Sequence, residues 1–338
     1  MNQPTNRKLL HIVSVLLITM CIPSKGYSQG GYTAEFSRIG FSPVGISMGN
    51  AMTASTHYSG LSYYNPAQAA IRSSKIPLQF SSALMQFDRQ LHMVSANFQL
   101  PPSAGLSFSL INARTTDIDG RNLSGYHTGY LSTTEYRLSG AFGIRFSENI
   151  MAGIGINFNH SNLHEDIPAI QGIGVDLGLI AMLTENASAG ISIQNLLSSR
   201  SVNTTDLYGT DASPRSDEEP LRLIAGISYM LSEELRFNLD YENRYQFAEN
   251  MSHGSVREEV RTDVQFIRSG IDYALHERVS LRGGLIWDGA NDDQKVQPSA
   301  GFSVHLPLDS LTPSIDYAFA AEPSGISSMH VFGLRVKI

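Results

Sequence analysis

The feature that most constrains the fold of this chain is an alternation of apolar and polar residues that recurs from about residue 75 to the end. In residues 235–241 the apolar side chains occupy one face of an extended strand, and Arg236, Asn238 and Asp240 occupy the other. Residues 332–338 repeat the pattern. Fourteen such segments begin near residues 76, 90, 103, 134, 149, 172, 187, 220, 234, 262, 278, 296, 311 and 325. They predict an all-β fold.

The connections between these segments differ in length at the two ends of the strands. Connections after even-numbered segments are short and lie near residues 101, 148, 185, 232, 276 and 308. Connections after odd-numbered segments are mostly long and polar, as in residues 114–132 and 243–261. Short periplasmic turns and long extracellular loops are typical of outer-membrane barrels. We therefore predict a transmembrane antiparallel β-barrel of about fourteen strands over residues 75–338, with both termini in the periplasm.

The same alternation assigns charged side chains to the inside of the barrel. An Arg or Lys that faced lipid near the midplane would cost about 2–4 kcal/mol, so the facing is strongly determined. Two interpretations of such residues are open. They form a salt-bridged network that stabilises the barrel, or they line a path for a solute or a site for a partner. The residues predicted to face the lumen are Arg137, Arg145, Asp176, Arg222, Arg236, Asp240, Arg268, Asp272, Arg282, Asp316, Arg335 and Lys337.

The first 28 residues have the pattern of a secretory signal peptide. Arg7 and Lys8 precede an apolar run over residues 9–22, and small residues follow at a plausible cleavage site near Ser28. This pattern predicts export and a location in the outer membrane. The single cysteine, Cys21, would leave with the signal, so the mature chain would have no disulfide and no thiol nucleophile.

Residues 29–74 are predicted to form a plug-like segment between the signal and the barrel. Within it, residues 36–71 are rich in glycine and other small residues, which lets backbone pack closely against backbone. Asn65 and Pro66 favour a turn, and Pro66 can open a short helix through Ala70. We expect this segment at the periplasmic mouth of the barrel or inside its lumen.

Part of this segment also resembles a known family. It contains, in this order, Gly40, Met48, Gly49, Asn50, Ala51, Asn65, Pro66 and Ala67. These spaced residues are similar to the opening of PorV/PorQ proteins, which belong to the wider FadL-like superfamily of outer-membrane barrels. The resemblance implies a non-enzymatic barrel that serves type IX protein secretion, with secretion-system or secreted proteins as partners. The alternative that it implies is a FadL-like channel for hydrophobic small molecules.

Other classes of function find little support in the sequence. A formal charge of −7 argues against a nucleic-acid partner, which would require a basic surface. The ten histidines are scattered, and no catalytic motif is present, so we expect no enzyme activity. Acidic and amide residues in 117–122 and 288–293 are more typical of solvated loops than of calcium sites. We expect no cofactor.

Overall fold

A computed structural model describes residues 34–164, 168–202, 215–217, 219–251, 257–289, 296–306, 313–322 and 327–338. The predicted signal peptide and the start of the predicted plug-like segment lie outside these ranges. In the ranges that the structure describes, no helix has both the length and the apolar character needed to cross a membrane.

Most of the described chain is β-structure, in strands that alternate direction along one sheet. The strands are β1 (Pro77–Leu84), β2 (Arg89–Leu100), β3 (Ala104–Arg121), β4 (His127–Ser147), β5 (Ile150–Asn162), β6 (Ile170–Thr184), β7 (Ala187–Val202), β8 (Arg215–Asp217), β9 (Leu221–Met230), β10 (Leu235–Met251), β11 (Arg257–His276), β12 (Val279–Asp288), β13 (Val296–His305), β14 (Ser314–Ala321) and β15 (Ser328–Lys337).

All of these strands except β8 form a closed antiparallel ring. Strand β1 pairs with both β2 and β15, and β7 pairs with both β6 and β9, so the wall has no free edge. Closure satisfies the backbone hydrogen bonds of every wall strand, which lipid cannot do. The short strand β8 pairs only with β7. The predicted 14-strand antiparallel barrel is confirmed.

The two faces of the wall differ as the alternation requires. On β5, Ile154, Ile156 and Phe158 are exposed, whereas Asn157 and Asn159, which alternate with them, are buried inside. A belt of exposed apolar side chains is the surface that a barrel presents to lipid. The turns beside the C-terminal end of β15 are short, and five of them have two to four residues. We refer to this end as the periplasmic end.

Two connections differ from the sequence prediction. Residues 114–132 were expected to be a loop, but β3 continues to Arg121 and β4 begins at His127, so the expectation was wrong in extent. The hairpin of β10 and β11 likewise extends into residues 243–261. The β3–β4 extension is mostly polar on both faces, and a ribbon with no continuous apolar face gives no period-two hydrophobic signal. Strand β8 was not predicted either.

Residues 34–71, here called the plug, lie inside the barrel. The plug contains a 3-10 helix at Glu35–Arg38, helix α1 at Ser42–Ser47 and a second 3-10 helix at Pro66–Ala70. Helix α1 contacts β12–β15 and β1, whereas the second 3-10 helix contacts β2–β6 on the other side. The plug therefore spans the lumen from wall to wall. The short helix predicted to begin at Pro66 is confirmed.

The facing of the wall can be tested at Leu239, which alternates with the buried Asn238 and Asp240 on β10. Leu239→Arg places a charge in lipid, so we expect it to lower the free energy of unfolding by about 2–4 kcal/mol. Leu123→Arg is the matched control, because Leu123 is fully exposed in the β3–β4 turn. Denaturant titration in lipid vesicles measures both variants. Equal losses would contradict the assignment of faces.

Candidate functional site: the filled lumen

Four inward-facing glycines lie side by side under the 3-10 helix Pro66–Ala70. Gly143 pairs with Gly105 on one side and Gly153 on the other, and Gly153 pairs with Gly178, so the four are in register across β3–β6. A Cβ atom at any of them would overlap atoms of residues 65–70. The wall and plug backbones are therefore in direct contact, which only glycine allows.

Glycines continue this contact around the rest of the barrel. A Cβ built on each of them would lie within about 3.2 Å of a plug atom, which is closer than ordinary van der Waals contact. The plug therefore fits against the wall on all sides. These glycines are Gly190 on β7, Gly226 on β9, Gly270 on β11, Gly284 on β12, Gly301 on β13 and Gly333 on β15.

Side chains of the wall also satisfy the backbone of the plug. An irregular segment at this depth must find partners for its buried N–H and C=O groups. The carboxylate of Asp240 accepts a hydrogen bond from the backbone N–H of Thr53 at 2.9 Å. Wall amides and hydroxyls donate to plug carbonyls in the pairs Asn238 to Ala51, Ser188 to Ala54, Gln79 to Ser59, Ser95 to Gly60, Gln194 to Tyr63 and Gln99 to Ile71.

Two asparagines of the motif that resembles PorV/PorQ proteins, Asn50 and Asn65, stabilise the plug itself. Asn65 accepts from the N–H of Ala67 at 3.0 Å and so caps the second 3-10 helix, and it donates to the carbonyl of Thr53 at 2.9 Å. Asn50 donates to the carbonyl of Ile39 at 3.0 Å and accepts from the Tyr64 hydroxyl at 2.6 Å. These bonds join distant parts of the plug into one unit.

The other motif residues lie at points of close approach. Gly49 has a φ of 60°, which favours glycine, and its N–H donates to the Ser299 hydroxyl at 3.2 Å. Gly40 has a φ of 135° and packs on Asn50. The remaining members are buried, namely Met48, Ala51, Pro66 and Ala67.

A fully buried carboxylate, Glu242, holds three guanidinium groups on the inner wall. Arg222 forms a bidentate pair with it at 2.7 and 2.8 Å, Arg244 donates at 2.9 Å, and Arg268 contacts its second oxygen. The three arginines come from the adjacent strands β9, β10 and β11. Paired geometry of this kind is what allows charges to be buried.

A second group of polar side chains lies on β4–β7. Arg137 pairs with Glu219 at 3.1 Å, and Glu219 also accepts from Asn159 at 2.5 Å. Asp176 accepts from the Asn157 side chain at 2.7 Å and from the backbone N–H of Asn195 at 2.8 Å. The group connects strands of the wall to one another.

A third group surrounds Tyr58 of the plug. Its hydroxyl donates to Asp272 at 2.7 Å and accepts from Arg282 at 3.3 Å. The guanidinium of Arg335 lies 5.3 Å from its ring, and Arg335 pairs with Asp316 at 2.6 Å. Tyr58 therefore links the plug to charged residues of the wall.

The charged residues predicted to face the lumen are distributed over these contacts. Arg236 is partly buried and lies 3.8 Å from Asp272. Arg145 lies at the periplasmic mouth, where it donates to the carbonyl of Ala70 at 3.2 Å, and Lys337 is exposed at the end of β15. Those that are buried are Arg137, Asp176, Arg222, Asp240, Arg268, Asp272, Arg282 and Asp316.

Several central residues were missed by the sequence analysis. Glu242 and Arg244 continue the inward parity of Asp240, but residues from 243 onward were assigned to a loop. Glu219 precedes β9 and has no strand pattern of its own. The inward parity of the wall glycines is a signal in the sequence that indicates close contact between the wall and a segment inside it.

One sector of the lumen is apolar. This apolar sector lies in the half of β14, β15 and β1–β3 that is remote from the periplasmic end, and it packs against apolar plug residues that include Phe41, Val44 and Leu61. Its wall residues are buried and lack polar groups, in contrast to the charged groups on β4–β11. They are Ala83, Leu91, Met93, Ile111, Ala318, Met329 and Val331.

Two cavities in the described lumen lie beside the plug, and both are small. They are lined by Arg38, Tyr63, Gln194 and Arg222, and their volumes of about 20 and about 10 Å³ leave room for about one water molecule each.

The hydroxyl of Tyr64, inside the plug, stays protonated. Its pKa is raised well above the usual range, mainly by burial and secondly by the neighbouring Tyr63. No cluster of potential metal ligands occurs in the described parts of the chain.

The barrel is similar in fold to several solved structures. It matches the CymD monoaromatic hydrocarbon channel with a TM-score of 0.60 and 14% sequence identity, over 88% of this chain and 97% of that one. It matches the toluene transporter TodX of Pseudomonas putida with a TM-score of 0.58 and 14% identity, over 93% and 99% of the two chains. A FadL homologue of Pseudomonas aeruginosa matches with a TM-score of 0.58 and 10% identity, over 93% and 99%.

Comparisons of sequence add nothing to this result. No protein-family model matches the chain, and no curated protein matches it. At these identities the structural likeness shows a shared fold alone. The chain therefore has the FadL-like barrel fold that the resemblance implied, whereas the finer resemblance to PorV/PorQ proteins stays a prediction.

The contact between glycine and plug can be tested at Gly153, where a Cβ would overlap the backbone of Pro66 and Ala67. We expect Gly153→Ala to lower the free energy of unfolding by about 1–3 kcal/mol, as overpacking does. Gly283→Ala is the control, because a Cβ there meets no atom within 4 Å. Its effect should stay within about 0.5 kcal/mol. Equal losses of unfolding free energy for the two variants in denaturant titrations would show that the wall and the plug move apart to accommodate the extra methyl group.

The buried cluster of Glu242 with three arginines can be tested with a second pair of matched variants, compared by their free energies of unfolding. Glu242→Gln leaves three buried guanidinium groups around a neutral amide, so we expect a loss of about 3–5 kcal/mol. Glu148→Gln breaks the exposed pair with Arg72, which should cost less than about 1 kcal/mol. The same titrations measure both. A tolerated Glu242→Gln would mean that the Glu242 carboxylate is not what neutralises the three arginines.

Proposed function

We propose that this chain is a non-enzymatic outer-membrane channel that admits small apolar molecules. The observation that carries the proposal is the apolar sector of the lumen, between β14, β15, β1–β3 and the plug. The interior of a barrel that conducts water and polar solutes is polar. A buried wall that bears Leu91, Met93 and Val331 is instead suited to contacts with an apolar solute.

The sequence left two functions open, a role in type IX secretion and a channel for hydrophobic small molecules. The solved structures that share the fold support the channel. Two of the proteins that share the fold are named as a monoaromatic hydrocarbon channel and a toluene transporter. Nothing in the described lumen favours a role in type IX secretion, which was the first expectation from the sequence. We therefore prefer the channel, with hydrophobic small molecules and outer-membrane lipid as the partners.

The plug determines where such a solute could pass. Polar side chains and glycines connect it to the wall on most sides, and the two cavities there have room for about one water molecule each. In the apolar sector the contacts between plug and wall are dispersion contacts, which unlike hydrogen bonds do not depend on a particular orientation of the two groups. Apolar side chains can exchange these contacts for contacts with an apolar solute at little cost in hydrogen bonds.

Uptake of radiolabelled toluene by Gram-negative cells that lack such a channel tests the proposal. We expect cells that express the protein to take up toluene faster than cells with an empty vector. Met93→Gln puts a polar amide of similar length into the apolar sector, and it should lower the initial rate at least fivefold. Met182→Gln, at the periplasmic end of β6, should leave the rate unchanged. Wild-type uptake equal to the empty vector would overturn the proposed function.

A further inference from the structure

The height of the barrel wall varies around its circumference. Strands β1 and β14 have eight residues each, which is about 26 Å along the strand at about 3.3 Å per residue. A tilt of about 40° reduces their height to about 20 Å, less than the apolar band of about 25 Å. Strands β3 and β4 have 18 and 21 residues and rise far above that level.

The low part of the wall coincides with the apolar sector. Ala83, Leu91, Met329 and Val331 lie inside the upper ends of β1, β2 and β15. The turn between β1 and β2 continues this apolar surface, because Met85 is partly buried and packs against the same cluster. At this place an apolar interior is separated from the outside of the barrel by a single short turn.

The tip of this turn carries an aromatic ring in an unusual backbone conformation. Phe87 has a φ of 63°, and Asp88 follows with a φ of 54°. A bulky residue in the left-handed region is strained, and such strain is kept where the surrounding structure enforces it. The result is that 67% of the Phe87 surface is exposed at the rim. A hairpin turn in this position would ordinarily have Asn or Gly there.

Charged side chains fix the turn in place. Arg89 pairs with the buried Glu322 at 2.7 Å and donates to the carbonyl of Gln86 at 3.0 Å. Its guanidinium also lies 5.9 Å from the Phe87 ring. Because Glu322 follows β14, this pair ties the β1–β2 turn to the neighbouring hairpin across the top of the apolar sector.

We propose that the β1–β2 turn, residues 85–88, is the entry site at which small uncharged aromatic solutes pass from the membrane boundary into the apolar sector. The inference rests on the proposed function and deepens it by locating the entrance. Phe87 offers the solute a ring face outside, and Met85 offers a flexible apolar contact inside. The other described strands are mostly longer, or they carry on β4–β11 the charged groups of the lumen, whereas here the one charged pair, Arg89 with Glu322, is mutually neutralised. An apolar solute therefore meets a low barrier at this turn.

Binding at the turn is measured by fluorescence in nanodiscs. In a Trp287→Phe background, which removes the single native tryptophan, Phe87→Trp reports on the entry site. Phe146→Trp is the matched control, because Phe146 is 69% exposed at the opposite end of the barrel. Bromobenzene is the quencher. We expect saturable quenching at position 87, at least threefold stronger at low bromobenzene than at position 146. Equal quenching would show that both rings merely contact lipid, and it would overturn the proposal.

Uptake provides a second, independent test. Phe87→Asn removes the ring and suits the left-handed backbone, so it should not add strain. We expect it to lower the initial rate of toluene uptake at least threefold at concentrations below saturation, whereas Phe146→Asn should match the wild type. Equal rates for the two variants would contradict the entry site. A wild type that takes up no toluene would instead refute the proposed function, and the quenching experiment would still decide whether the turn binds aromatic solutes.

Discussion

The structure depends on direct contact between two backbones, that of the wall and that of the plug. An irregular segment can lie at membrane depth only if protein surrounds it and satisfies its hydrogen bonds. Glycines on ten wall strands let the plug approach, and amide, hydroxyl and carboxylate groups of the wall bind its N–H and C=O groups. Side chains larger than hydrogen at the glycine positions would separate these groups beyond hydrogen-bonding distance.

This contact divides the lumen into regions with different chemistry. Toward β4–β11, charged and amide groups join the wall strands to one another and to the plug. Toward β14, β15 and β1–β3, the upper lumen holds apolar side chains from both partners. Polar networks with defined geometry resist rearrangement, whereas apolar contacts tolerate it. A solute path along the apolar sector is therefore compatible with a plug that stays in place.

The sequence was informative wherever one face of a strand is apolar and the other polar. That pattern located the fourteen wall strands and predicted the lumen-facing side of residues such as Arg222 and Asp316. It failed where the β3–β4 hairpin extends beyond the apolar belt, because mostly polar residues on both faces carry no period. It also could not pair Glu242 with Arg222 and Arg268, since those partners depend on strand register. The small residues of the plug indicated close packing, but not which glycines of the wall they meet.

These contacts between wall and plug make the plug part of the rigid core of the barrel rather than a mobile gate. Hydrogen–deuterium exchange of the reconstituted protein, read on peptides that cover residues 48–71, distinguishes a rigid plug from a mobile one. We expect these amides to exchange as slowly as those of the wall strands, because wall groups hold them in place. Exchange of the whole segment within seconds, with the strands still protected, would contradict it.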